Sequence, residues 1–259
     1  MTKKFLKFLR NSLSRREDRK LNALKTFGHW LFPNYRFSWP QLDWWDDPEF
    51  NEYLRKFEEP DGFNTHRKWM LLQLLRLTSC VPGDTAECGV FRGASSWLIC
   101  AANRSNKNYA RVHHLFDSFE GLSEPSVLDG AHWAKGNLAV GEDLVRRNLE
   151  NFGNIQVHKG WIPERFANCE NIRFSFVHID VDLYEPTRDS IEFFYDRINQ
   201  GGILLCDDYG FTTCPGATKA IDEFLEGKPE KMVALDAGSG FLIKGISTAT
   251  KDIGIGQYL

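Results

Sequence analysis

Two segments of this 259-residue chain begin apolar and end in carboxylates. One is His178-Ile179-Asp180-Val181-Asp182-Leu183-Tyr184; the other is Ile203-Leu204-Leu205-Cys206-Asp207-Asp208. A strand that is apolar along its length and acidic only at its carboxyl end reads as a buried parallel strand delivering charge to a crevice. Two such strands, if neighbours in a sheet, place four carboxylates near one rim. Like charges that close raise one another's pKa and resist burial unless a divalent cation sits among them. Helix capping explains one Asp per strand and leaves Asp-x-Asp and Asp-Asp without a reason. The expectation is a site for a hard cation.

A second group of residues precedes them. Glu87-Cys88-Gly89-Val90-Phe91-Arg92-Gly93-Ala94-Ser95 follows an apolar strand candidate and opens a helix. Glycines four apart at such a turn let backbone approach a ligand, although tight strand-to-helix turns need them anyway. Glu87 stands where the first glycine of G-x-G-x-x-G would be. A carboxylate there repels a pyrophosphate by about 1 kcal/mol or more at contact distance and attracts an ammonium. The next strand candidate ends Leu115-Phe116-Asp117-Ser118-Phe119-Glu120-Gly121. Asp117 is placed either to accept hydrogen bonds from two ribose hydroxyls or to cap a helix. A ligand with both an ammonium and a ribose is S-adenosylmethionine.

These residues need a scaffold, and the pattern supplies one. Met70, Leu71, Leu72, Leu74, Leu75 and Leu77 follow a helical period that ends at Pro82-Gly83. Strand candidates then recur near 85–88, 111–116, 154–158, 174–180 and 202–207, separated by helix-length segments at 94–102, 142–152 and 186–199. Such alternation predicts a parallel sheet covered on both faces. Met232–Leu235 and Phe241–Ile243 flank the Gly-rich Ala237-Gly238-Ser239-Gly240, so the sheet should end in a hairpin with its last strand antiparallel. Residues 64–259 are read as this α/β domain and residues 1–63 as an N-terminal extension. Residues 1–20 carry eight Lys or Arg against two acids, which fits a short basic amphipathic helix. Its expected resting place is another subunit or its own domain, with an anionic membrane surface as the alternative. Residues 27–62, rich in aromatics and proline, have too few periodic signals for regular structure and too much apolar area to stay in water.

A net charge of −3 gives no reason to expect nucleic acid as a partner. The six cysteines show no C-x-x-C pair and no zinc spacing, so a reducing cytoplasm is the expected compartment. No run of about 18 uncharged apolar residues appears.

Ala86-Glu87-Cys88-Gly89-Val90-Phe91-Arg92-Gly93, Phe116-Asp117-Ser118-Phe119-Glu120-Gly121, Gly160-Trp161, His178–Tyr184 and Asp207-Asp208-Tyr209 together resemble the macrocin O-methyltransferase family. The resemblance covers roughly residues 64–245. It implies a Rossmann-like class I methyltransferase fold with a mostly parallel seven-stranded sheet, and Mg²⁺-dependent transfer of a methyl group from S-adenosylmethionine to a sugar hydroxyl. By that resemblance Glu87 and Gly89, on the turn that also carries Gly93 and Ser95, hold the methionine end. Asp117 holds the ribose with Ser118 beside it, and Gly160 and Trp161 border the adenine. Asp180, Asp207 and Asp208 bind Mg²⁺, with Asp180 also beside the cofactor and the candidate base. The acceptor is a small-molecule or glycan sugar, and a homo-oligomer is expected. Asp182 either joins the metal shell, facing the same side as Asp180, or caps the helix near Pro186. Two rivals remain at this level: a glycosyltransferase using Asp180-Val181-Asp182 as a D-x-D motif, and a non-catalytic module that keeps the pocket.

Overall fold

The structure, a computed structural model, describes residues 3–14, 16–32, 42–59, 63–107 and 110–249. Tyr35, Phe37 and Trp39 of the aromatic segment lie outside them. The chain divides into two compact units, Met1–Tyr53 and Leu54–Leu259. The second unit takes in residues 54–63, which the sequence reading assigned to the extension.

In the first unit the basic segment forms not one helix but the start of a helical hairpin, α1 (Lys3–Ser12) and α2 (Glu17–Leu31). The aromatic segment also carries more regular structure than expected. α2 runs into it, a 3-10 turn spans Asp43–Asp46, and α3 covers Pro48–Phe57, its residues from Leu54 on belonging to the second unit. Phe50, Tyr53, Leu54 and Phe57 are spaced by three and four residues and are all buried. That short helical period was masked by the surrounding prolines and tryptophans.

The second unit begins with α4 (Phe63–Leu77), then β1 (Asp84–Cys88), α5 (Ala94–Ser105), β2 (His113–Asp117), α6 (Glu142–Asn148) and β3 (Ile155–Lys159). It continues with β4 (Phe174–Ile179), α7 (Tyr184–Phe194), β5 (Ile198–Cys206), α8 (Pro215–Phe224), β6 (Val233–Ala234) and β7 (Gly240–Ile243). The sheet order is β3-β2-β1-β4-β5-β7-β6. β1 to β5 are parallel, and β7 is antiparallel to both β5 and β6, as the hairpin signal required.

Alternation along each strand sorts its side chains onto two faces. Ala86, Cys88, Phe116, Val177, Ile179, Leu204 and Cys206 pack with Ile191 and Phe194 of α7 and Ile221 of α8. Leu115 and Val157 point the other way, toward Trp97 of α5 and Val145 of α6. Helices therefore cover both faces, and the carboxyl ends of the parallel strands open on one rim. The six cysteines are free.

Candidate active site

The strand order reverses at β1, whose neighbours β2 and β4 lie on opposite sides of it, and the rim there is where such folds form a crevice. β1 and β4 are in register with Glu87 opposite His178, both buried. Glu87 does not face solvent: it is 1% exposed. His178 Nδ1 lies 2.9 Å from its Oε1, Ser96 donates to its Oε2, and His113 Nε2 stands 3.7 Å away. Burial alone would raise this carboxyl, but the neighbouring His113 and His178, the latter hydrogen-bonded to it, hold it at about 2. The structure thus sets Glu87 beneath the turn, not at its mouth, as a fixed negative charge.

Above it the turn is shaped by close approach. Gly89 has φ +80°, and a Cβ there would fall 1.8 Å from the Asp180 carbonyl oxygen. This glycine is required by the packing of the β1 and β4 termini, whatever ligand the turn holds. Gly93 ends the turn at φ +83° as the residue before α5. Ser95, in the first turn of α5, accepts from Lys68 Nζ at 2.6 Å. Burial lowers the Lys68 ammonium, with Asp180 the largest opposing influence. A helix N-terminus with a lysine beside it suits an anionic group.

Asp117 at the end of β2 turns toward the same turn. Its Oδ2 accepts from Val90 N–H at 2.7 Å and its Oδ1 from Phe119 N–H at 2.6 Å. Burial raises this carboxyl against those backbone donors. Each oxygen keeps a lone pair for a hydroxyl. Ser118 Oγ accepts from Glu120 N–H and donates to the Gly121 carbonyl, which fixes the loop after β2. Gly160 follows β3 at φ +138°, where a Cβ would meet the Arg165 side chain. Trp161 next to it is 37% exposed.

The carboxylates of β4 and β5 separate into two groups. His178, Asp180 and Asp207 each present one donor atom, all within 4.8 Å of one another. Asp182, Asp208 and Cys214 form a second such group. The two-residue alternation explains the split: Asp207 continues the face of Leu205 and His178, and Asp208 the face of Cys206. Asp207 is neutralised from several sides. Arg67 of α4 forms an ion pair with it, Ser239 Oγ donates at 2.9 Å, and His178 Nε2 lies 3.6 Å away without a hydrogen bond of its own. The Arg67 guanidinium also stands 5.0 Å from the centre of the Phe211 ring.

Asp208 Oδ2 instead accepts from Val181 and Asp182 N–H, at 3.1 and 2.8 Å. Burial, with Asp180 adding repulsion, raises it to about 6. Asp182 has φ +59° and is 7% exposed, and its Oδ1 accepts from the Cys214 thiol, at 3.5 Å. Burial and the Asp208 charge push it up to about 9. β4 has ended at Ile179, so Asp182 does not share the Asp180 face, and Asp-x-Asp is no single metal clamp. Nor does Asp182 cap α7: Asp129 Oδ1 accepts from Tyr184 N–H at 2.6 Å.

Asp180 and Asp207 are hard oxygen donors on one side of the rim. A cation that retains several waters and takes one or two carboxylates, as Mg²⁺ does, fits that pair. Asp208, expected as the third ligand, stands in the other group. Arg67 and Lys68 escaped the sequence reading because they sit in a helix whose dominant signal is leucine; the signal on offer was the basic run His66-Arg67-Lys68 in an otherwise apolar period.

The model of the macrocin-O-methyltransferase family matches residues 74–241. A 4'-O-methyltransferase of Streptomyces olivaceus, acting on 8-demethyl-8-(2,3-dimethoxy-alpha-L-rhamnosyl)-tetracenomycin-C, is 34% identical over 152 residues. That alignment takes 54% of this chain and 58% of that relative, so the match spans less than two thirds of it. Demethyldecarbamoylnovobiocin O-methyltransferase of Streptomyces niveus is 28% identical over 198 residues, 69% of this chain and 74% of the relative. Among solved structures, the O-methyltransferase NovP has a TM-score of 0.59 at 24% identity, covering 74% of this chain and 88% of its own. The calicheamicin methyltransferase CalS11 has a TM-score of 0.62 at 18% identity, covering 90% and 95%. These likenesses establish the Rossmann-like class I methyltransferase fold. With its family model matched over most of its length and its strands in the expected order, the chain belongs to the macrocin-O-methyltransferase family.

Proposed function

We propose that this protein transfers the methyl group of S-adenosylmethionine to a sugar hydroxyl, with Mg²⁺ at Asp180 and Asp207. The single observation that carries the reading is positional. Asp117, Asp180 and Asp207 stand at the carboxyl ends of β2, β4 and β5 along one rim, in a chain of this family. The relatives named above act on natural products, one of them explicitly rhamnosylated, which supports a sugar acceptor here.

In this reading Asp117 accepts the ribose hydroxyls and the exposed Trp161 ring stacks on the adenine, with Gly160 leaving room beside it. Lys68, Ser95 and the N-terminus of α5 receive the methionine carboxylate. Glu87 contributes its charge from below, through His178 and Ser96, and favours the ammonium. A sugar hydroxyl is a poor nucleophile, and a Mg²⁺ ion when bound would lower its pKa and fix its oxygen. Asp180 takes the hydroxyl proton as general base. Methyl transfer is a displacement, so the residues that align oxygen, carbon and sulfur supply most of the acceleration.

The test is a methyl-transfer screen over free, nucleotide-linked and lipid-linked sugars, with and without EDTA, alongside calorimetric titration of S-adenosylmethionine. Cofactor binding is expected without metal, and Asp117→Ala should weaken it by about 1–3 kcal/mol, the cost of a lost charge-assisted hydrogen bond. EDTA should abolish turnover and Mg²⁺ restore it. Full turnover in EDTA would remove the metal from the mechanism, and cofactor affinity untouched by Asp117→Ala would remove the pocket.

A further inference from the structure

The hairpin of the first unit carries an exposure pattern that no part of the proposed reaction uses. Nine of the eighteen large apolar side chains exposed among the described residues lie between Phe5 and Phe32. Phe5 and Leu9 of α1 and Leu13, the residue just after it, recur every four residues with Leu6 beside them, forming one stripe. Leu13 is 85% exposed. The stripe continues across the hairpin as a run of rings: Phe5 lies 6.5 Å from Phe8, Phe8 6.4 Å from Phe27, and Phe27 6.0 Å from Trp30. Trp30 is 75% exposed.

Charge selects the occupant. Residues 1–20 carry a net +6 in a chain whose total is −3, which leaves −9 for the rest. Lys7 and Arg10 are exposed and flank the apolar stripe of α1, and Arg19 and Lys20 are exposed at the start of α2. A second copy of the same hairpin would bring +6 against +6. A surface of negative headgroups over hydrocarbon meets both the basic flank and the apolar ridge at once. Among the described residues no helix is long and apolar enough to cross a membrane, so the contact is one of lying on the surface. We infer that the α1–α2 hairpin docks the protein on an anionic lipid bilayer, with Phe5, Leu6, Leu9, Leu13, Phe27 and Trp30 entering the headgroup boundary. The inference is independent of the catalytic reading.

Sedimentation of the full chain with phosphatidylcholine vesicles, with and without phosphatidylglycerol, tests it. Binding is expected to the anionic vesicles, to fall with added salt, and to be weak on the neutral ones. Leu9→Glu with Leu13→Glu should reduce anionic-vesicle binding by about a hundredfold or more, since both residues are exposed and the loss of two buried apolar side chains compounds. Lys7→Ala and Arg10→Ala should each reduce it by about fivefold, the weight of one basic residue near such a surface. Absence of binding to either vesicle overturns the inference, as does equal binding to both. A wild-type dimer that the Leu9→Glu, Leu13→Glu variant dissociates, with no vesicle binding by either, also overturns it and assigns the ridge to a second copy.

Discussion

On one face of the rim Asp207 meets the Arg67 guanidinium, the Ser239 hydroxyl and the edge of His178; on the other, Asp208 and Asp182 meet backbone N–H groups and a thiol. The residue types are the same and the burial is similar. What differs is direct pairing with a positive charge: Arg67 contacts Asp207 and acts on Asp208 and Asp182 only from a distance. Dipoles lower the cost of a buried carboxylate less than a cation does. Hence Asp208 is pushed up to about 6 and Asp182 to about 9, while across the sheet the histidines hold the equally buried Glu87 at about 2. Carboxylates one residue apart in sequence can therefore differ in charge compensation because strand alternation sends them to different neighbours. The face with cations is the one suited to carry charge through a reaction.

The most damaging change to activity should come from the cation-bearing face. Asp180→Asn removes a metal-ligand charge and the base together, so turnover should fall by about 10²–10⁴-fold, the usual weight of general-base catalysis. Cofactor affinity measured by calorimetry should stay close to wild type. A wild-type rate would place the proton transfer elsewhere and erase the functional difference between the two faces.

Stability offers the sharper contrast. Asp207→Asn leaves the largely buried Arg67 without its carboxylate partner, and breaking such a pair costs about 3–5 kcal/mol. Asp182→Asn should cost less than about 0.5 kcal/mol and can stabilise. Burial already keeps the Asp182 carboxyl protonated at neutral pH, so a neutral amide of the same shape changes little. Its φ of +59° is also one that Asn adopts more readily than most residues. Urea denaturation of the two variants side by side checks the comparison. Equal losses would mean that the two faces do not differ in charge compensation.

Much of this arrangement could be read from the residues before any coordinates. The parallel strands and the closing hairpin were legible because a buried strand and a Gly-rich turn each leave a local signature. The positions of Asp117, Asp180 and Asp207 at the rim followed from the strand ends. The division between Asp207 and Asp208 was available from alternation alone, but the motif Asp-Asp invited treating the pair as one ligand set. Asp182 was legible only as an alternative, because a left-handed residue after a strand breaks the alternation that would place it. Lys68 and Arg67 reach the rim from α4, far away in sequence, and long-range docking of a helix leaves no periodic trace. Glu87 was rightly singled out as a charge, but its withdrawal beneath the turn depends on His113 and His178 from two other strands.

The last contrast is a pH dependence remote from both faces. His158 of β3 stacks on Phe116, with ring centres 4.4 Å apart, and its Nε2 lies 3.1 Å from His114 Nδ1. Burial, reinforced by the neighbouring His114 charge, lowers its pKa from 6.5 to about 4. In the unfolded chain the imidazole takes up its proton as the pH falls below 6.5; in the folded protein it resists until about 4. The unfolded state therefore binds more protons across that window, and folding stability contributed by His158 is present above it and lost as pH falls through it. Asp208 and Asp182 act in the opposite sense there, because their raised folded values favour the protonated folded state. The informative quantity is accordingly a difference: urea midpoints of wild type minus His158→Gln, followed from pH 7 to about 4. That difference should shrink steadily with falling pH. A difference independent of pH would show that His158 titrates alike in both states and that its burial carries no charge penalty.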